Sequence, residues 1–179
     1  MRDAIEAEVL TVLQGHNEIK VRVSGVLVRD GRLLAMRHRR RGRQYHVLPG
    51  GGLELQEGIP DCLRREFQEE TTLQVEPGRL LAVIETIPAR ITSYWRDNRH
   101  VVELVYWVER ASGEAHEVAA LSVPVWVRTS EVHTLQLYPR VNDWLARGLS
   151  TGFGVEPAYF VFPVEPVDTD HPLSCWPQE

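Results

Sequence analysis

The residues best placed to do chemistry lie in one short run, Arg65-Glu66-Phe67-Gln68-Glu69-Glu70. The spacing around it predicts a helix over Ile59 to Glu70, with Gly58 at its start and Pro60 in the first turn, where no backbone N–H is needed. At roughly 100° per residue, Glu66, Glu69 and Glu70 fall within about a third of the helix circumference. Three carboxylates so close repel one another and need a compensating charge. A charge run on a helix is ordinarily a solvated face, but the helical wheel argues against that here. With Glu66 at zero, Ile59, Leu63 and Phe67 lie at about +20°, +60° and +100°, Glu70 at about +40° and Glu69 at about −60°. Glu66 and Glu70 are therefore interleaved with the apolar stripe, while Asp61, Arg64, Arg65 and Gln68 form the watery side. Carboxylates turned toward the body of a protein are costly unless a cation or strong donors neutralise them. Hard oxygen ligands on a rigid helix suit Mg²⁺ or Mn²⁺. Arg65, one turn before Glu69, is expected to pair with it and orient its carboxylate.

Immediately upstream runs Leu48-Pro49-Gly50-Gly51-Gly52. Glycines let a backbone come close to a ligand and turn its carbonyls or N–H groups inward. On its own such a loop most often serves a turn; before an acidic helix it reads as part of a site. The basic run from Arg37 through Arg39 to Arg43 is expected to be a loop. It suits contact with substrate phosphates, a foothold for RNA, or plain solvation. Cys62 falls beside the apolar stripe and is read as packing.

Around these residues the chain reads as alternating elements. Met1 to Gln14 has helical spacing in Ile5, Val9, Leu10 and Leu13, closed by Gly15. Strands are expected over Ile19–Val28, Leu33–Met36, Tyr45–Leu48, Leu80–Ile87, Val101–Glu109 and Val123–Arg128, with a hairpin at Asp30-Gly31. Pro139–Leu149 is expected to be a second helix. From residue 151 to residue 179, prolines suit an extended arm lying on this subunit or on a homodimer partner, after an N-terminal helix over 1–15 and one domain over 16–150. Strands mixed with few helices indicate an α/β sandwich around a mixed sheet.

Composition narrows the class. The chain has 179 residues, enough for one domain with a real core. Its formal net charge of −5 disfavours a dedicated nucleic-acid binder but not a nucleotide substrate. No apolar run approaches the roughly 20 residues that span a bilayer. Asp3, Glu6 and Glu8 near the start do not suit a secretory signal, and two distant cysteines, Cys62 and Cys175, suit a reducing, cytoplasmic setting.

Taken together, the glycine loop and acidic helix resemble the Nudix box, Gly-x5-Glu-x7-Arg-Glu-U-x-Glu-Glu-x-Gly-U, where U is bulky and apolar. Gly51, Glu57, Arg65, Glu66, Phe67, Glu69, Glu70 and Leu73 fill its positions, and Thr72 stands where the pattern has its last glycine. A residue there commonly takes a left-handed conformation, which strains a β-branched side chain by about 1–2 kcal/mol. The resemblance implies a Nudix-type α/β/α sandwich and metal-dependent hydrolysis of a nucleoside diphosphate linked to another group. It implies Mg²⁺ (or Mn²⁺) held by Glu66, Glu69, Glu70 and a carbonyl of Gly50 or Gly51. It further implies that Glu57 assists, with Glu66, Glu69 or a later acid such as Glu114 or Glu117 taking the proton of the attacking water. Arg37, Arg39, Gly51 and Gly52 are the candidate substrate contacts. Pro88, fifteen residues past Leu73, resembles a marker of ADP-ribose-cleaving members; (deoxy)nucleoside triphosphates are the competing substrates. Tyr94, Trp95, Tyr106 and Trp107 are candidates to stack on a base. A binding module of the same fold would lack the carboxylates, and an isomerase would need a cysteine outside the box, for which only Cys175 is available.

Overall fold

The computed structural model describes residues 19–40, 43–88, 100–118 and 122–164. The expected N-terminal helix, and the candidate residues Tyr94, Trp95 and Cys175, lie outside them. Among the described residues, nine strands and two α-helices follow in the order β1 (Ile19–Val26), β2 (Val28–Arg29), β3 (Arg32–Arg40), β4 (Arg43–Val47), β5 (Gly50–Gly52), α1 (Ile59–Thr71), β6 (Gln74–Pro88), β7 (His100–Ser112), β8 (Ser122–Arg128), α2 (Asn142–Thr151) and β9 (Ala158–Val164). A short 3-10 helix, Thr129–Thr134, follows β8 directly.

Five strands form a mixed sheet in the order β5-β1-β7-β6-β9, in which β1 runs parallel to β7 and β9 parallel to β6. A smaller antiparallel sheet is built on β3, which pairs with β2, β4 and β8. Alternation along the strands divides the core in two. Val23 of β1 and Val108 of β7 face Cys62, Leu63 and Phe67 of α1. Val26 and Val105, of opposite parity on the same strands, face Leu145 of α2 together with Leu81 and Ile84. The five-stranded sheet is thus covered by a helix on each side, the α/β/α sandwich expected.

Several expectations are corrected. The described part of the run Arg37–Arg43 is strand and not loop: β3 continues to Arg40 and β4 starts at Arg43, with Arg37 opposite His46 and Arg39 opposite Gln44. Cross-strand pairing holds these arginines extended despite their charge. β6 begins at Gln74, earlier than expected, because shifts of register around Pro77 absorb a residue that would otherwise end a strand. α2 starts at Asn142 rather than Pro139; Pro139 instead offers its carbonyl to the Val141 N–H at 2.8 Å. Ala158–Val164, within the stretch expected to be an arm, is the outer strand of the main sheet, and Phe160 and Phe162 pack on the α2 side. The Asp30-Gly31 hairpin is as expected, with φ of +51° and +70°.

Candidate active site

β5 and the C-terminal half of α1 build the site between them. β5 is pinned to β1 in antiparallel register, Ser24 opposite Gly50, Val23 opposite Gly51 and Arg22 opposite Gly52. α1 docks through Cys62, Leu63 and Phe67, which are fully buried, so the rotation of the helix is fixed. That rotation turns Glu66 and Glu70 toward the glycine strand and leaves Asp61, with its side chain 71% exposed, in water beside Arg64.

The glycines are required by what they touch. Gly50 has φ +143°, and a Cβ there would collide with the Val23 carbonyl. At Gly51 a Cβ would fall on the Glu66 carboxyl itself. The Glu66 side chain is only 12% exposed and lies against this bare backbone. The Gly50 N–H donates to Glu70 Oε2 at 2.9 Å. Burial pushes the Glu70 carboxyl above its ordinary range; the Gly50 N–H and the Arg22 charge oppose that rise, and Glu66 and Glu69 add to it.

Arg65 organises the rest. Its Nε and Nη2 grip Glu57 at 2.7 and 2.9 Å, a forked pair, and Nη2 also donates to the Gly52 carbonyl at 3.0 Å. Nη1 reaches Glu66 at 2.8 Å and Glu69 at 3.3 Å, so the pairing expected with Glu69 is present. The expectation that Arg65 faces water is corrected: its side chain is only 24% exposed, drawn over the helix surface by Glu57. Hydrogen bonds from Arg65 hold the Glu57 carboxyl at about 2. Glu69 is the outlier, 59% exposed.

Glu66, Glu69 and Glu70 are hard-oxygen groups, the chemical type that Mg²⁺ or Mn²⁺ takes as ligands. The bare backbone at Gly51 gives the Glu66 carboxyl its close approach, and that at Gly50 fits against Val23 and Ser24 of β1. In this arrangement Arg65 stands between Glu66 and Glu69, and among the described residues no three acidic, His or Cys side chains converge on one point. Arg65 is the local cation of the cluster.

The remaining candidates are spread more widely. Gly51 and Gly52 lie in the site. Arg37, half-buried, and Arg39, exposed, are alternate residues of β3 and share a face. Between them His38 stacks on Tyr45 at 5.3 Å and lies 3.3 Å from the Ser122 hydroxyl. Burial and the Arg22 charge lower the His38 pKa; burial and Arg37 lower that of His46. Glu114 is near Arg29, at 3.9 Å, and Glu117 is exposed. Tyr106 and Trp107 pack in the two cores. Cys62 sits under the site with its thiol pushed up to about 12 by burial and then by the Glu57 charge, which makes it packing and not a nucleophile. A cleft of about 410 Å³ lined by Arg79, Trp107, Leu149 and Phe153 lies on the α2 side and shares no residue with the carboxylate cluster.

Two residues were missed from the sequence, Arg22 and Glu103. Glu103 is 5% exposed in β7, and Arg22 Nε donates to its Oε1 at 3.3 Å. A lone acid inside Val101-Val102-Glu103-Leu104-Val105 was the available signal, since a strand so apolar rarely carries a charge without a partner.

Known proteins resemble this chain in sequence and in fold. Residues 19–148 match the NUDIX domain. A MutT-like protein of Streptomyces ambofaciens is 38% identical over 125 residues, covering 65% of this chain and 73% of the relative. The crystal structure of a MutT protein from Bacillus halodurans superposes with a TM-score of 0.66 at 19% identity, over 82% of this chain and 91% of that one. That of an ADP-ribose pyrophosphatase from Streptococcus suis gives 0.54 at 16% identity, over 79% and 98%. Among the described residues no helix is long and apolar enough to cross a membrane.

Proposed function

Because the chain belongs to the Nudix family of pyrophosphohydrolases, we propose that it cuts a phosphoanhydride bond in a nucleoside diphosphate linked to another group, with Mg²⁺ or Mn²⁺ held by Glu66, Glu69, Glu70 and the Gly50 carbonyl. The observation that carries the reading is the placement of Glu66 and Glu70 against the bare backbone of Gly50 and Gly51. Two inward carboxylates one turn apart are costly to hold unless the site receives positive charge. The bound ion would neutralise phosphate oxygens and lower the pKa of an attacking water.

The chain's own groups supply the rest. Arg65 and Glu57 fix the orientation of Glu66. Glu69, the most exposed of the three, can turn away from Arg65 toward the cluster at little cost. The proton of the attacking water goes to a carboxylate of α1, Glu66 or Glu69, or to one of the exposed later acids, Glu114 and Glu117. Arg37 and Arg39 bring positive charge to the neighbouring sheet, where substrate phosphates would meet it. Phosphoryl transfer of this kind needs in-line positioning and charge neutralisation rather than a covalent nucleophile.

The test is a panel of ADP-ribose-like nucleotides and (deoxy)nucleoside triphosphates assayed with Mg²⁺ and with Mn²⁺, following the products released. Turnover of at least one class that stops in excess EDTA is expected. Full turnover in EDTA would exclude the metal reading.

A further inference from the structure

We propose that Arg22 is a positioning residue for this reaction, a brace that ties the glycine strand to the floor of the main sheet and so fixes where Gly50 and Glu70 sit. The inference rests on the hydrolase reading above. Arg22 lies on β1 in register with Gly52 on one side and Glu103 on the other. Its guanidinium forks: Nε donates to the buried Glu103 at 3.3 Å, and Nη2 donates to the Leu48 carbonyl at 3.0 Å. Leu48 leads straight into Pro49-Gly50, and the Pro49 carbonyl is itself held by the Gly25 N–H at 3.0 Å. Gly50 then donates its N–H to Glu70. The chain of contacts therefore runs from Glu103 through Arg22 and the loop backbone to a carboxylate of α1.

A pair with one partner buried and the other 27% exposed is a poor way to gain stability, because an apolar pair of similar volume usually does as well. What it offers is geometry. The planar fork spans one acceptor on β7 and one in the loop before β5, which the single ammonium of lysine does not reproduce.

The experiment compares wild type with Arg22→Met, Arg22→Lys and the double variant Arg22→Met/Glu103→Leu. Each is measured for melting temperature, for the Mg²⁺ concentration that half-saturates the Mg²⁺-induced rise in melting temperature, and for kcat and KM. Arg22→Met alone strands a buried carboxylate and should melt lower; the double variant removes that charge and should regain most of the loss. The brace predicts that both variants, and Arg22→Lys, lose kcat by about tenfold or more and need more Mg²⁺, with KM changed less than about twofold. If the double variant recovers kcat and Mg²⁺ response along with its melting temperature, Arg22 is merely structural and the proposal is overturned. A wild-type chain with no turnover on any nucleotide removes the hydrolase reading instead; the shift in half-saturating Mg²⁺ between wild type and the double variant then decides the brace by itself.

Discussion

Two glycine-related positions carry sharp consequences. A Cβ at Gly51 would occupy the space of the Glu66 carboxyl, so Gly51→Ala should displace that side chain and cut kcat by about 10²-fold, as small misplacements of catalytic groups do. The Gly51 backbone is otherwise ordinary, so the melting temperature should change little; a variant with wild-type kcat would show that Glu66 does not act from its place on this backbone. Thr72, standing in for the glycine of the resembled pattern, has φ +64°, so the left-handed conformation expected from sequence is real. Its hydroxyl, however, lies 2.8 Å from the Glu114 carbonyl and 2.6 Å from that of Thr71. Thr72→Gly relieves about 1 kcal/mol of strain and forfeits about as much in hydrogen bonding and chain entropy. The expected change in melting temperature is therefore within about 3 °C of zero. The strain was legible from one residue type at one position; the compensating hydroxyl was not, because its acceptor lies 42 positions away in sequence.

At the scale of elements, α1 was read almost completely from its own residues, since a helix buries a stripe whose period is local. Glu66 and Glu70 turn inward and Asp61 outward as the wheel requires. The exception, Arg65, was drawn from the watery side by Glu57, a loop residue whose place depends on a turn that no period reports. Strand lengths were less legible. β3 runs on through charges because its hairpin neighbour β4 continues the ladder, and β6 runs through Pro77 because pairing with the distant β7 overrides local propensity. The Glu57–Arg65 pair gives a pH prediction. Glu57 is held at about 2, below its unfolded value of 4.5, so its contribution is fully present above the unfolded value and is lost as pH falls toward about 2. Glu57→Gln should therefore melt below wild type at about pH 6, with the gap closing as the pH is lowered into that window. A gap that stays constant across it would mean the pair contributes nothing through its charge.

For the whole molecule, the sequence suggested a sandwich with an arm beyond it, and the structure brings Ala158–Val164 of that stretch into the main sheet. Prolines around an apolar segment look like a linker until a parallel neighbour is known. Arg79 strengthens this closure by donating to the carbonyls of Gly154 at 2.7 Å and Phe153 at 3.0 Å. Truncation from Gly154 should accordingly lower the melting temperature by about 5 °C or more, since it strips Phe160 and Phe162 from the α2-side core and bares the β6 edge. It should leave the carboxylate cluster, which is built on β5 and α1, able to turn over in whatever fraction stays folded. A truncated chain that melts like wild type would show that β9 is not part of the stable sheet.

The central claim, that the inward carboxylates of α1 hold the metal, is tested most directly by comparing Glu70→Gln with Asp61→Asn. Both remove one charge from the same helix and keep the shape, but Glu70 lies beneath the Gly50 N–H and Asp61 is in water. Glu70→Gln should lower kcat by at least about 10²-fold, about 2.7 kcal/mol of transition-state stabilisation, and raise the Mg²⁺ needed for half-maximal rate. Asp61→Asn should change kcat less than about threefold, because an exposed, screened charge contributes little. Equal and small effects from the two substitutions would contradict the account.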